Sequence, residues 1–495
     1  MVFASRSAVL IAVATLAACN RDSGPTDDTL ISGVSDRLLD PETCQECHPD
    51  HYREWLSSMH AYAAEDPIFI AMNRRGQRET NGALGDFCIK CHAPLAVELG
   101  LTTDGLNLDE VPKHLQGVTC YFCHTVASVE DTHNNPLTLT RSATMLGAIR
   151  DPVDNDVHGS DYSPFVDSLT QESGDMCGAC HDIVNANGVH LERTYAEWLD
   201  SFMADTDPLS GAPAPYALRC ASCHMGPAQM GPIADIEGVR ADRFKHSHLM
   251  AGVDVALTPW PDAAQAPALE AEQLEKIEFQ RKSALCATIC VNPDPADDTS
   301  NLVDVWLHNE FTAHSWPSGA TQDRRAWLEL QVFSGADPVL QSGVLPPGQA
   351  LTELEVADPL LWQFRDRIFD GAGSEVHMFW EAESNVSELL PASAILSAEG
   401  DASTWRSRRF RVEGSAVDRV TTTLHLRPVG LDVIDSLIES GDLDASFRDT
   451  MPTFEVAPTV LEWTPAVAIE YEGYGPCVNS SDSCGAVIVG AASPG

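Results

Sequence analysis

The stretch Gly117-Val118-Thr119-Cys120-Tyr121-Phe122-Cys123-His124 carries the reading that decides the fold. Its core, Cys-x-x-Cys-His, recurs as Cys44-Gln45-Glu46-Cys47-His48, Cys88-Ile89-Lys90-Cys91-His92, Cys177-Gly178-Ala179-Cys180-His181 and Cys220-Ala221-Ser222-Cys223-His224. At this cysteine and histidine content, roughly 0.01–0.02 such matches arise by chance in a chain of this length. Two thiols can add across the two vinyl groups of a haem, and the two-residue gap matches the span between those vinyls. The next residue, histidine, is then held beneath the iron as its proximal ligand. A redox dithiol or half a zinc site would also use Cys-x-x-Cys. Neither explains a histidine after all five pairs. The pattern predicts five covalently attached haem c groups, with His48, His92, His124, His181 and His224 as proximal iron ligands.

The motifs span residues 44–224, about 36 residues per haem. That is too little chain to wrap each macrocycle in its own apolar core. The haems are therefore expected to stack and form the core themselves, inside a mostly helical and irregular domain over 41–260. Close stacking also serves electron hopping from iron to iron.

Each iron needs a sixth ligand that the motif does not supply. Of 17 histidines, those outside the motifs number more than five. His51, three residues after His48, sits on the proximal side and reads as an exposed helix residue. His60 lies twelve residues after His48, about 18 Å along a continuous helix, so it would serve a neighbouring haem. Its frame, Tyr52-x-Glu54-Trp55-Leu56-x-Ser58, is echoed by Tyr195-x-Glu197-Trp198-Leu199-x-Ser201. The echo aligns His60 with Met203, either a thioether ligand or, the better reading, a core methionine.

These residues resemble a family. The helix Trp55–His60, Cys91-His92-Ala93-Pro94-Leu95, the Gly117–His124 stretch, Cys177–Asp182, Thr194–Trp198 and Cys220–Met225 together look like exported multihaem c-type cytochromes. That class contains hydroxylamine oxidoreductase and its tetrahaem electron acceptor, and the resemblance covers about residues 41–335. It implies stacked haems, mostly bis-histidine ligation and electron-transfer duty. It also implies the distal ligands. His60 follows Trp-x-x-Ser, His158 lies upstream of the fourth motif, and His248, with His246 as rival, lies beyond the fifth. His314 sits in Asn309-Glu310-Phe311-Thr312-Ala313-His314-Ser315-Trp316-Pro317-Ser318-Gly319. For the remaining position His133 and His114 both stand near the third motif. No Cys-x-x-Cys-Lys variant, the proximal change of nitrite-reducing relatives, occurs in the chain.

Working outward, Met1–Cys19 has one positive charge at Arg6 and an apolar run Ala8–Ala18, too short to span a bilayer and flanked like a secretory signal. Leu16-Ala17-Ala18-Cys19 resembles the bacterial lipoprotein box, making Cys19 a lipidation site. Residues 1–18 are thus expected to be a lipoprotein signal peptide and 19–40 a polar tether. The chain is read as exported, a membrane-anchored lipoprotein on the periplasmic or cell-surface side. With 73 acidic against 30 basic residues, the net charge of −43 disfavours nucleic acid. It suits redox partner proteins with a basic docking surface.

The remainder completes a multidomain α+β reading. Residues 261–299 form a helical connector in which Leu269, Leu274 and Ile277 share one face. Residues 300–470 are β-rich and read as a β-sandwich-like domain, apart from a short helix at 431–440. Residues 471–495 are expected to hold a disulfide loop and a disordered tail. The four cysteines left over are paired locally, Cys477 with Cys484 and Cys286 with Cys290. The leading function is electron transport along the haem chain of an extracytoplasmic respiratory pathway. An electron carrier is favoured over a catalytic oxidoreductase. The alternatives are an oxidoreductase with one open-site haem acting on a small nitrogen or sulfur compound, and a subunit of a larger extracellular electron conduit.

Overall fold

A computed structural model describes residues 30–153, 155, 157–206, 214, 217–392 and 404–481. The signal segment with Cys19, and Cys484 with the C-terminal tail, lie outside the described residues. The molecule is α+β.

In the first half each motif closes a turn of helix. The histidine N–H bonds the carbonyl of the first cysteine in His48→Cys44 (2.7 Å), His92→Cys88 (3.3 Å), His124→Cys120 (3.0 Å) and His181→Cys177 (3.1 Å). Positions i, i+3 and i+4 of such a turn share one face, so both thiols and the imidazole point the same way. The elements between the motifs are short. The longest is Pro67–Glu79, started by Asp66, whose side chain accepts the Ile68 N–H. Ile31, Val34, Leu39, Phe69, Ile89, Leu95, Leu115 and Tyr121 form a buried apolar cluster beside them. The expected tether over 19–40 therefore ends earlier: Ile31, Val34 and Leu39 leave water for this cluster.

Helix Ala266–Ala284 follows, lying against helix Pro49–Ser57. Its buried residues are Leu269, Gln273 and Ile277, while Leu274 is exposed. The expected stripe is displaced because Gln273 Nε2 donates to Leu249 O (2.9 Å), which gives a polar residue a reason to face inward.

Two antiparallel sheets come next. In the first, strands Trp405–Val412, Asp297–Asn309, Leu285–Asp294, Gly475–Asn479 and Ile469–Tyr471 lie side by side in that order. In the second, Asp337–Ser342, Arg325–Ser334, Arg419–Arg427 and Phe454–Glu455 do so. Alternate residues of both sheets meet in one core, with Ile289, Val303, Val305, Leu328, Leu330, Phe410 and Leu424 all buried. The β region starts at Leu285, inside the expected connector of 261–299, and reaches Asn479, inside the expected disulfide loop of 471–495. Helix Leu431–Glu439 packs Leu431, Ile434 and Leu437 on Ile68 and Ala71, tying the two halves together.

The disulfide pairing differs from the local expectation. Cys290 bonds Cys477, which faces it on the neighbouring strand across 187 residues of sequence. Cys286 is disulfide-bonded as well. Cys286 and Cys290 lie on one extended strand, where four residues span about 13 Å, beyond the reach of a bond between them.

Candidate haem sites

Every motif histidine has its Nδ1 tied down. Backbone carbonyls hold His48 (Ile233 O, 2.8 Å), His92 (Ala63 O, 2.9 Å), His124 (Leu146 O, 2.7 Å) and His224 (Ala251 O, 2.9 Å). His181 Nδ1 instead faces the Glu192 carboxylate at 3.4 Å. An acceptor at Nδ1 puts the proton there and leaves Nε2 as the ligating atom, the arrangement typical of metal-bound imidazoles. Burial holds His48, His92 and His124 below the usual histidine range, and His224 down at about 4. That favours the neutral, ligating form. At His181, whose ring is the more exposed, loss of hydration also acts to lower the value, but the Glu192 hydrogen bond and charge win and raise it to about 9.

Opposite three of these rings stands a second histidine. Ring centres are 6.2 Å apart for His181–His60, 6.3 Å for His124–His248 and 6.4 Å for His224–His314. Two metal–nitrogen bonds of about 2 Å each, plus the nitrogen-to-centre distance of each ring, place two axial imidazoles roughly 6 Å apart. The pairs thus have the spacing an iron between them requires. His60 is pushed down to about 3, by burial first and then by the charges of His181, His224 and His92. It comes from a second short helix, Met59–Tyr62, because the expected continuous helix breaks at Ser58.

The other candidates separate. His158 bonds Gly159 O (2.9 Å) and lies near enough to His48 and His124 to depress both. His246 Nε2 is taken by Ser168 Oγ (2.9 Å), whereas its rival His248 faces His124. His133 has its ring neighbour in His190, 6.4 Å away, and His114 sits half-buried on a short turn. His48 and His92 have ring contacts with His51 and Phe69. His51 is half-buried rather than exposed: its ring meets His48 and His248, and burial brings it down to about 4. Met203 is buried with Tyr195 and Trp198, a packing role.

The echoed frame builds two matching units. In the first, Trp55 Nε1 donates to Val118 O (2.7 Å), two residues before Cys120, and Ser58 Oγ donates to Trp55 O (2.7 Å). In the second, Trp198 Nε1 donates to Leu218 O (3.0 Å), two before Cys220, and Ser201 Oγ donates to Trp198 O (2.7 Å). Val118 N bonds His60 O (2.8 Å), and Leu218 N bonds Met203 O (3.1 Å). Glu54 accepts the N–H of His248 (2.9 Å), and Glu197 that of Ser315 (2.8 Å), next to His314. Gly117, at φ +72°, lets its chain pass against His60 O and Ala61 O, where a Cβ would stand 2.6–2.7 Å from them. The frame was visible in the sequence, but the carboxylates' task was not, because their partners lie far along the chain.

The motifs are also close to one another. The thiol of Cys44 lies near that of Cys120, Cys91 near Cys180, Cys177 near Cys220, and Cys123 near Cys180. Motif four therefore adjoins motifs two, three and five. Arg219, beside Cys220, is 3% exposed, and its Nη2 lacks a hydrogen-bond partner among the described residues. A buried cation of this kind suits an acidic haem propionate. The donor set, the ring spacing and this guanidinium all fit haem c.

The comparisons agree. Residues 43–125 match the family model described as cytochrome c554 and c-prime. No curated protein matches the chain. Among solved structures, a penta-heme cytochrome c552 from Thermochromatium tepidum shares the fold. Its TM-score is 0.56 at 20% identity, over 87% of this chain and 98% of that one. Motifs, family match and fold together support a multihaem c-type cytochrome that binds haem c covalently and transfers electrons.

Proposed function

We propose that the chain is a pentahaem cytochrome conducting electrons through a stacked haem array in an extracytoplasmic respiratory pathway. The observation that carries this is the set of facing histidine pairs at 6.2–6.4 Å, one per motif at motifs three, four and five. On this reading His248, His60 and His314 are the distal ligands of those three haems. His158 serves the first haem, and His133 or His114 the second. Each bound haem supplies a one-electron Fe(III)/Fe(II) couple. The protein holds each imidazole by its Nδ1 acceptor and keeps the macrocycles adjacent through the inter-motif contacts.

The oxidised pairing of Cys290 with Cys477 supports an exported protein. So does the lipoprotein-like Cys19, which would anchor the chain to a membrane. No helix among the described residues is long and apolar enough to cross one. The acidic surface would steer a basic redox partner by long-range attraction.

Mass spectrometry of the purified protein, with EPR of its oxidised form, tests the reading. Five covalent haem additions and low-spin signals dominated by bis-histidine irons are expected. Fewer than five haems would refute it. A high-spin haem that binds nitrite or hydroxylamine would replace the carrier by an enzyme.

A further inference from the structure

We propose that Glu192 makes the fourth haem the most negative-potential member of the array and so turns the junction of the array into an energetic step. The inference rests on the haem reading above and goes beyond it by assigning one residue a tuning role.

Four of the five proximal histidines present Nδ1 to a neutral carbonyl at 2.7–2.9 Å. His181 alone presents it to a carboxylate. A carboxylate draws the Nδ1 proton harder than a carbonyl does, which raises the basicity of Nε2 and stabilises Fe(III) over Fe(II). At 3.4 Å the hydrogen bond is long. The negative charge acts in the same direction without needing ideal geometry.

The carboxylate is built into place. Strand His190–Glu192 pairs with Ile183–Val184, just after the motif, and Thr194 Oγ1 donates to Glu192 Oε1 (3.3 Å). The carboxylate side chain is 15% exposed and the His181 ring 54%, so water reaches the pair from the imidazole side while the carboxylate itself is shielded. The buried Arg324, close enough to feel Glu192, is bonded at both ends to Asp254 (2.9 and 2.8 Å). The duplicated frame supplies an internal control. His48 holds the position of His181 in the other unit, and its acceptor is the Ile233 carbonyl.

Motif four adjoins motifs two, three and five. Electrons crossing between these branches therefore meet their least favourable resting place at the fourth haem. The junction passes electrons on and does not store them.

The test is a spectroelectrochemical titration of the full holoprotein, with each EPR signal followed separately. In Glu192→Gln one haem of the five shifts upward by about tenfold in its Fe(III)/Fe(II) equilibrium, about 59 mV for one electron. The same signal changes its g-anisotropy, and the other four stay in place. Glu192→Asp keeps the charge but withdraws it, and shifts the same haem by less. Unchanged midpoints, or all five moving together, would overturn the assignment. Should Glu192→Gln fail to load its haems, Glu192→Asp alone must still move that one wave upward, and no movement would overturn it. A haem count below five in the unaltered protein would instead count against the pentahaem reading.

Discussion

The unit built on motifs one and three and the unit built on motifs four and five use the same clamp. In both, a tryptophan indole bonds the carbonyl two residues before the later motif, a serine caps the tryptophan, and a glutamate holds a distal backbone N–H. They differ where chemistry would be expected. His60 in the first stands where Met203 stands in the second. Ile233 O in the first stands where Glu192 stands in the second. The histidine facing the later motif also has different origins. His248 comes from the loop before the connector helix, and His314 from the sandwich loop after Asn309. The scaffold is duplicated, while the histidine, methionine, carbonyl and carboxylate placed around the motif histidines are not.

Three sets of changes break or sharpen this comparison. The largest effect is expected at His60. Its replacement by Ala should turn the haem of His181 high-spin in EPR, whereas Met203→Leu should leave the spectrum unchanged and cost less than about 1.5 kcal/mol. A high-spin signal from Met203→Leu would make the two positions equivalent after all. Next is the sandwich. Replacing Cys290 and Cys477 by Ser should cost about 2–5 kcal/mol in denaturant titration. Loss of signal should come first at the haem of His224, whose partner His314 belongs to that domain, and later at the haem of His124. Simultaneous loss would show that the sandwich supports both units alike. The smallest effect is expected at the clamps. Glu54→Gln and Glu197→Gln each keep an acceptor but lose its charge, for about 1 kcal/mol. The first should broaden the EPR signal of the His124–His248 pair, the second that of His224–His314.

Much of this was legible in the chain. Cysteine at i and i+3 with histidine at i+4 defines a turn that needs no distant partner, so the geometry of each motif could be read from the chain alone. The frame shared by Tyr52–Ser58 and Tyr195–Ser201 announced a duplication, and the alternation in Arg419–Leu426 announced strands. Other features depended on residues remote in sequence. His246 and His248 are two apart, and only Ser168 and His124 tell them apart. Ile31 and Val34 looked like linker until the cluster around Leu95 gave them somewhere to bury. Cys286 and Cys290 looked like a local pair until strand extension moved them out of reach of one another.

By itself the sequence pointed to covalent haem c, because the attachment motif is complete within five consecutive residues. Only the tertiary structure decided which histidine faces which motif, which cysteine pairs with Cys290, and that a carboxylate rather than a carbonyl stands behind His181. Those choices depend on contacts between segments up to 187 residues apart. Spacing along the chain cannot express them, because they exist only once the strands and helical turns have packed.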